Sequence, residues 1–314
     1  MDDLYKKLSL GTAATVCVAC AQDANVLEAV ESAKNIANFI LVGDIEAIRR
    51  AAEAANADIS RAELINEPDP EAACKSAVRL VASGKAQALM KGHVDTSIIM
   101  KAVLDKDAGM RTGRKLSHLA VFELPTYHKL LFVTDAAINI APDTATKKEI
   151  IRNAVEAAHS LGVECPYVAL LAAKEKPDPK MPVTMEAAEL TRYYEHLQDV
   201  SEETVWFNPP PEGIDEKEMR FAGEFILDGP LALDNAICPE SVKIKGIKSW
   251  VAGKADILVC PDIEAGNILY KALAFLAGAK NGGVVLGAKR PVILTSRADS
   301  AESKLISIAL GLLS

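Results

Sequence analysis

A serine followed by an arginine, Ser296-Arg297, stands where an apolar and β-branched run gives way to a helical pattern. The run is Val292, Ile293, Leu294 and Thr295; the helix carries Leu305, Ile308, Ala309 and Leu312 on one face. A strand-to-helix switch presents free backbone N–H groups and the positive end of the helix dipole, which together favour anions. A guanidinium adds a planar, permanently charged fork that matches phosphate oxygens. The chemistry this pair points to is phosphate handling. The same residues also fit a plain strand end with a surface arginine, so other positions must decide.

Several other segments repeat the theme. Lys91-Gly92-His93-Val94-Asp95-Thr96 follows the apolar run Ala86–Met90, and a lysine with a glycine suits close approach to an anion. Thr96 or Asp95 is placed to cap the next helix. Within Gly109–His118, Arg111 and Arg114 are further cations for an anionic substrate. Asp228-Gly229-Pro230 sets an acid and a glycine at another expected strand end. Thr134–Asp143 is small and weakly polar, and reads as a cleft wall and a crossing between domains.

The elements that must position these residues alternate from the start. Strands are expected at Thr15–Cys20, Phe39–Val42, Leu64-Ile65 and Ala86–Met90, with helices at Val26–Ala37, Ile45–Ala55, Pro70–Ser83 and Thr96–Leu104. Asp69 and Pro70 supply an acceptor cap and a first-turn proline. Repeated βα units with apolar strands predict an α/β protein with a parallel sheet covered on both faces. In such sheets ligands bind beyond the carboxyl ends of the strands. His118–Leu124 and Lys129–Val133 are too close for a crossover and read as an antiparallel hairpin.

Later come a helix at Thr144–Leu161, a strand at Tyr167–Ala172 and a helix at Val183–Leu197. Residues from Gln198 to Met219, with Val200–Glu203 and the run Pro209-Pro210-Pro211, break the pattern and read as a surface excursion. Strands follow at Phe225–Leu227, Asp256–Cys260 and Gly283–Leu286, with a helix at Ile263–Ala277 and a last helix returning to the first domain. The expected division is residues 1–137 with 291–314 as one α/β domain and 138–290 as the other.

The 314-residue chain is long enough for two such domains. A net charge of −8 with scattered cations gives no basic field for nucleic acid. No apolar leader or bilayer-length run is seen, so a cytoplasmic protein without a membrane partner is expected. Six cysteines, mostly inside apolar runs, read as reduced thiols. Cys17 and Cys20 form a CxxC, but three apart on a strand they face opposite ways, and no metal site is expected.

The ordered set KGHVDT, MRTGRKLSH, TDAAINIAPD, DGPLALDNA, PDIEAGN and TSRADS strongly resembles the phosphate acetyltransferase and phosphate butyryltransferase family over nearly the whole chain. LFVTDAAINIAPD, ILDGPLALDNAI and SRADSAESK are most similar to the butyryl branch. The resemblance implies two α/β domains with a cleft between them, a fold similar to that of isocitrate dehydrogenase, and a homodimer. It implies the reversible reaction of acyl-CoA with inorganic phosphate to give acyl phosphate and CoA, by direct transfer. Coenzyme A is then a substrate, and no further cofactor is implied.

In that reading Arg297 clamps phosphate and Ser296 hydrogen-bonds the reacting centre. Substrate contacts fall on Lys91, Gly92, Thr96, Arg111, Ser117, Thr134, Asn139, Asp228, Gly229 and Pro230. The CoA thiol needs a base, because the thiolate is the nucleophile. The acetyl branch has an aspartate seven residues after the serine, where this chain has Ser303. Asp299 is the nearby candidate, although Asp299 and Glu302 also fit a capping box; Asp228 and Asp135 are open as well. Two other readings stand beside this one. One is a metal- and NAD-dependent oxidoreductase on the similar fold, which lacks its G-x-G-x-x-G after the first strand. The other is a non-catalytic CoA or acyl-phosphate binder that has lost its base.

Overall fold

The computed structural model describes residues 14–204, 216–295 and 299–314. Ser296, Arg297 and the proline run at 209–211 lie outside the described residues. The chain divides into two compact units, residues 14–120 with 280–314, and residues 121–279.

The first unit opens with β1 (Ala14–Ala19), α1 (Ala24–Ala33), β2 (Ala37–Gly43), α2 (Ile45–Ala54), β3 (Glu63–Asn66), α3 (Pro70–Ala82), β4 (Ala88–Lys91) and α4 (Thr96–Val103). β5 (Ser117–Glu123) carries the chain into the second unit. The helix starts follow from short acidic side chains. Asp23, Asp44 and Asp69 each accept the amide three residues on, at 3.1, 3.1 and 2.8 Å, which satisfies donors that the first turn leaves open.

The second unit contains β6 (Leu131–Thr134), α5 (Thr144–Ser160), β7 (Tyr167–Leu171), α6 (Pro182–Thr204), α7 (Glu216–Ala222), β8 (Ile226–Leu231), α8 (Leu233–Ile237), α9 (Pro239–Lys245), β9 (Ile257–Val259) and α10 (Ile263–Lys271). A π-helical turn, Ala272–Leu276, ends α10. The chain then returns to the first unit through β10 (Lys280–Leu286), β11 (Val292–Ile293) and α11 (Ala301–Leu313).

Strand order in the first unit is β3-β2-β1-β4-β11-β10. β1 lies parallel to β2 and β4, β2 to β3, and β4 to β11, while β10 runs antiparallel to β11. The parallel pairing expected of the βα repeats is broken at that pair. Only residues 287–291 separate the two strands, too few for a crossover. Val16, Val18, Leu27, Leu41, Ile48, Met90, Ile293 and Ile308 share one core, so α11 packs on this sheet. Gly311 makes that approach possible, since a Cβ there would stand 2.7 Å from Ile293 Cγ1.

In the second unit β6, β9, β7 and β8 are neighbours in that order and parallel. Tyr194 and Phe225 meet edge to face at 5.1 Å and fix α6 against the start of β8. Two expectations change here. α6 runs on through Val200–Glu203 to Thr204 and α7 begins at Glu216, so much of the expected excursion is helix. Ser and Glu do not stop a helix once an amphipathic face is committed. β8 does not end at Asp228; it continues through Gly229 and Pro230 to Leu231, with a register shift opposite Ala169–Leu171. Among the described residues no helix is long and apolar enough to cross a membrane.

Candidate active site

The order β3-β2-β1-β4-β11 reverses direction between β1 and β4. The chain leaves β1 towards β2 and reaches β11 on the far side of β4, which makes the β1–β4 boundary the switch point beyond whose carboxyl ends open sheets bind ligands. Ala19 pairs with Lys91 at that edge. The loops touch through backbone: Gly92 N donates to Ala19 O at 2.8 Å, and His93 N to Cys20 O at 2.7 Å. This closeness needs glycine, because a Cβ at Gly92 would lie 2.2 Å from Cys20 O. Lys91 Nζ donates to Val94 O at 3.2 Å, which holds it against its own loop.

Thr96 is the exposed first residue of α4, and Asp95 stands at the cap position. Neither side chain closes the cap, contrary to the expectation for this helix. Ile98 N instead donates to Asp95 O, at 3.0 Å. On the β1 side Asp23 does cap α1 with Oδ1, and its Oδ2 lies 3.2 Å from His93 Nδ1. Cys20 does not partner Cys17. Its sulfur hydrogen-bonds with Cys74 of α3, which holds the Cys20 thiol below its ordinary range, while burial pushes Cys17 up to about 12.

β11 brings the expected phosphate end to the same edge, with Met90 opposite Ile293. Thr295 is buried there, and Ser296 and Arg297 follow outside the described residues. Asp299 is half-buried, and its carbonyl accepts from Lys304 Nζ at 2.9 Å. The capping box expected of Asp299 and Glu302 forms one residue later. Ser300 Oγ accepts from Ser303 N at 3.1 Å and pairs with the Ser303 hydroxyl, while Glu302 reaches Lys280 at 2.8 Å. Ser303 is thus spent on the helix start. Arg111 is exposed beside buried Met110, and Thr112 Oγ1 donates to Gly287 O at 2.5 Å. Ser117 is buried at the start of β5.

The remaining expected contacts belong to the second unit. Thr134 ends β6, and its carbonyl accepts from Cys260 N at 2.6 Å. Asp135 is 2% exposed, and its carboxylate accepts from the amides of Ala137, Ile138 and Asn139 at 2.9, 3.0 and 3.1 Å. Asn139 Nδ2 adds a fourth bond at 2.6 Å. Gly266 of α10 lets the loop sit down, since a Cβ there would be 2.2 Å from Asp135 O. With its oxygens committed in this way Asp135 is a loop clamp, which corrects its reading as a base. Asp228 is half-buried within β8, with Oδ1 accepting from Gly229 N at 2.7 Å. Gly229 presses on Leu170, and Pro230 is buried. These three are strand residues and not a loop beyond the strand.

The first unit therefore gathers Lys91, Gly92 and Thr96 beside the end of β11, with Arg111 and Ser117 elsewhere in that unit. Thr134, Asn139 and Asp228–Pro230 lie in the second. The Asp23–His93 pair escaped sequence reasoning because 70 residues separate its members. An aspartate before a helix signals only a cap.

A family model described as phosphate acetyl/butaryl transferase matches residues 71–200 and 216–312. The phosphate butyryltransferase of Clostridium acetobutylicum is 43% identical over 300 residues, 95% of this chain and 92% of that protein. The phosphate acetyltransferase of Thermotoga maritima is 40% identical over 309 residues, 97% of this chain and 96% of its own length. A crystal structure of a branched-chain phosphotransacylase from Enterococcus faecalis superposes with a TM-score of 0.78 at 34% identity, covering 96% of this chain and 98% of that one. Similarity of this depth over both units admits one assignment: the chain belongs to the phosphate acetyl/butaryl transferase family.

Proposed function

We infer that the protein moves a short acyl group reversibly between CoA and inorganic phosphate. The observation that carries this reading is end-to-end similarity to both butyryl and acetyl transferases. The chemistry agrees with the residues. Two anionic substrates must be held together so that transfer becomes effectively unimolecular, and the acyl carbonyl and phosphate both carry negative charge that cations and amides stabilise. Arg297 holds phosphate, Ser296 hydrogen-bonds the reacting centre, and Lys91 with the first turn of α4 adds positive potential at the same sheet edge. Arg111, Ser117, Thr134, Asn139, Asp228, Gly229 and Pro230 complete the substrate contacts, with Asp299 near the serine. CoA is a substrate here and no separate cofactor is invoked.

The family resemblance supports two domains with the substrate cleft between them, and action in the cytoplasm. It also supports a homodimer. Gly266 is the one buried residue of α10 and the π turn has none, while Ile268, Phe275 and Leu276 are 69, 65 and 88% exposed. A row of large apolar side chains on one helix marks a protein contact. Sedimentation at micromolar concentration should give twice the chain mass, and Leu276→Glu should shift it towards one chain.

The activity test mixes purified protein with acetyl-, butyryl- or isobutyryl-CoA and phosphate and follows free thiol. Phosphate-dependent thiol release is expected with at least one of the three. No release with any of them overturns the reading. The chains compared differ by methylenes, each worth only about 1–3 kcal/mol in a pocket, so partial activity on several is expected.

A further inference from the structure

We propose that His93, oriented by Asp23, is the general base that takes the proton from the CoA thiol. This rests on the acyl-transfer reading and deepens it, setting His93 against Asp299 and Asp228 for the role of base.

Four observations carry it. First, position: His93 hangs by its own amide on Cys20 O, at the carboxyl ends of the strands where the order reverses between β1 and β4. Open α/β sheets bind ligands there. Second, orientation: Asp23 Oδ2 stands 3.2 Å from His93 Nδ1. An ionised carboxylate only accepts, so in the neutral ring Nδ1 carries the hydrogen and Nε2 keeps its lone pair. Third, rigidity: Asp23 is itself pinned, because Oδ1 accepts from Val26 N at the start of α1. A base held by an oriented third group is the arrangement that activates a nucleophile. Fourth, access: the His93 side chain is 52% exposed and Asp23 20%, so the imidazole reaches outward from a half-buried carboxylate.

Two competing positions are occupied. Asp135 is saturated by four donors, and the amide and hydroxyl of Ser303 are both bound to Ser300 Oγ, the cap of α11. Asp23 is the charged group in contact with the imidazole; Lys91 and Asp95 are its neighbours in the loop, and Asp69 and Lys91 both act on Cys20, whose carbonyl holds the His93 amide.

The step balances simply. In the direction of acyl-CoA formation, Nε2 accepts the thiol proton. The thiolate attacks the acyl carbonyl, the carbon–oxygen bond to phosphate breaks, and phosphate leaves with the bonding pair. In reverse, the imidazolium returns the proton to the departing thiolate.

The test compares wild type, His93→Ala, His93→Gln and Asp23→Asn. kcat is measured from pH 5.5 to 9 with saturating acyl phosphate and CoA, and thermal unfolding is followed alongside. Asn still caps α1, so Asp23→Asn removes the charge while keeping the structural bond. Both His93 variants should lose about 100-fold or more in kcat near neutral pH and flatten the acid limb of the profile, with KM for acyl phosphate little changed. Imidazole in the buffer should restore part of the His93→Ala rate. Asp23→Asn should lose about tenfold and shift the acid limb. If either folded His93 variant stays within threefold of wild type with the same pH profile, the proposal is overturned. Absence of turnover in wild type would instead overturn the acyl-transfer reading, so the two failures are distinguishable.

Discussion

Arg297→Ala is expected to lower kcat/KM for phosphate by about 100- to 1,000-fold, with saturation by acyl-CoA far less affected. The size follows from what is removed. A guanidinium gives a dianion two parallel charge-assisted bonds, each roughly 1.5–3 kcal/mol when formed to a charged group. Losing about 2.7–4 kcal/mol of transition-state stabilisation is two to three powers of ten in rate. Arg297→Lys keeps the charge but not the planar fork, so it should recover only part of the loss. Initial rates against phosphate concentration at saturating butyryl-CoA separate the outcomes. An Arg297→Ala enzyme that saturates with phosphate as wild type does would remove the clamp from the mechanism.

Asp135→Ala should cost about 3 kcal/mol or more in unfolding free energy. The carboxylate is buried and accepts three backbone amides and the Asn139 side chain. Removing it strands four donors in a loop that α10 covers through Gly266, and an unmet buried donor costs roughly 1–3 kcal/mol. The loss falls short of the full sum because the loop can shift to admit water. Asp135→Asn keeps one acceptor oxygen and should fall between. Urea denaturation at neutral pH reads the difference as a lower midpoint at constant slope. An unfolding free energy for Asp135→Ala within about 0.5 kcal/mol of wild type would mean that the clamp holds nothing.

The two effects separate along a line that runs through the whole molecule. Arg297 is legible from sequence because its neighbours say what it is: an apolar run, a hydroxyl, a guanidinium, a helical period. Asp135 is not. In sequence it is an acid in a small-residue loop and reads equally well as a base. Only the four donors folded around it decide that it is a clamp. Asp299 shows the same limit in one turn of helix, where the D-x-x-E spacing was right for a cap but the serine one residue on took it.

The alternation of apolar strands with amphipathic helices, the aspartate caps and the α/β class are written locally, since each depends on residues a few positions apart. Family membership is written in the ordered motifs. What required the folded chain is everything that joins distant segments: the antiparallel β10–β11 pair, the reversal of strand order between β1 and β4, the Cys20–Cys74 contact, and the carboxylate of Asp23 against His93. Local pattern reports what one segment prefers, whereas a pairing such as Asp23 with His93, 70 residues apart, follows from which strands become neighbours, and only the packing of the whole sheet sets that.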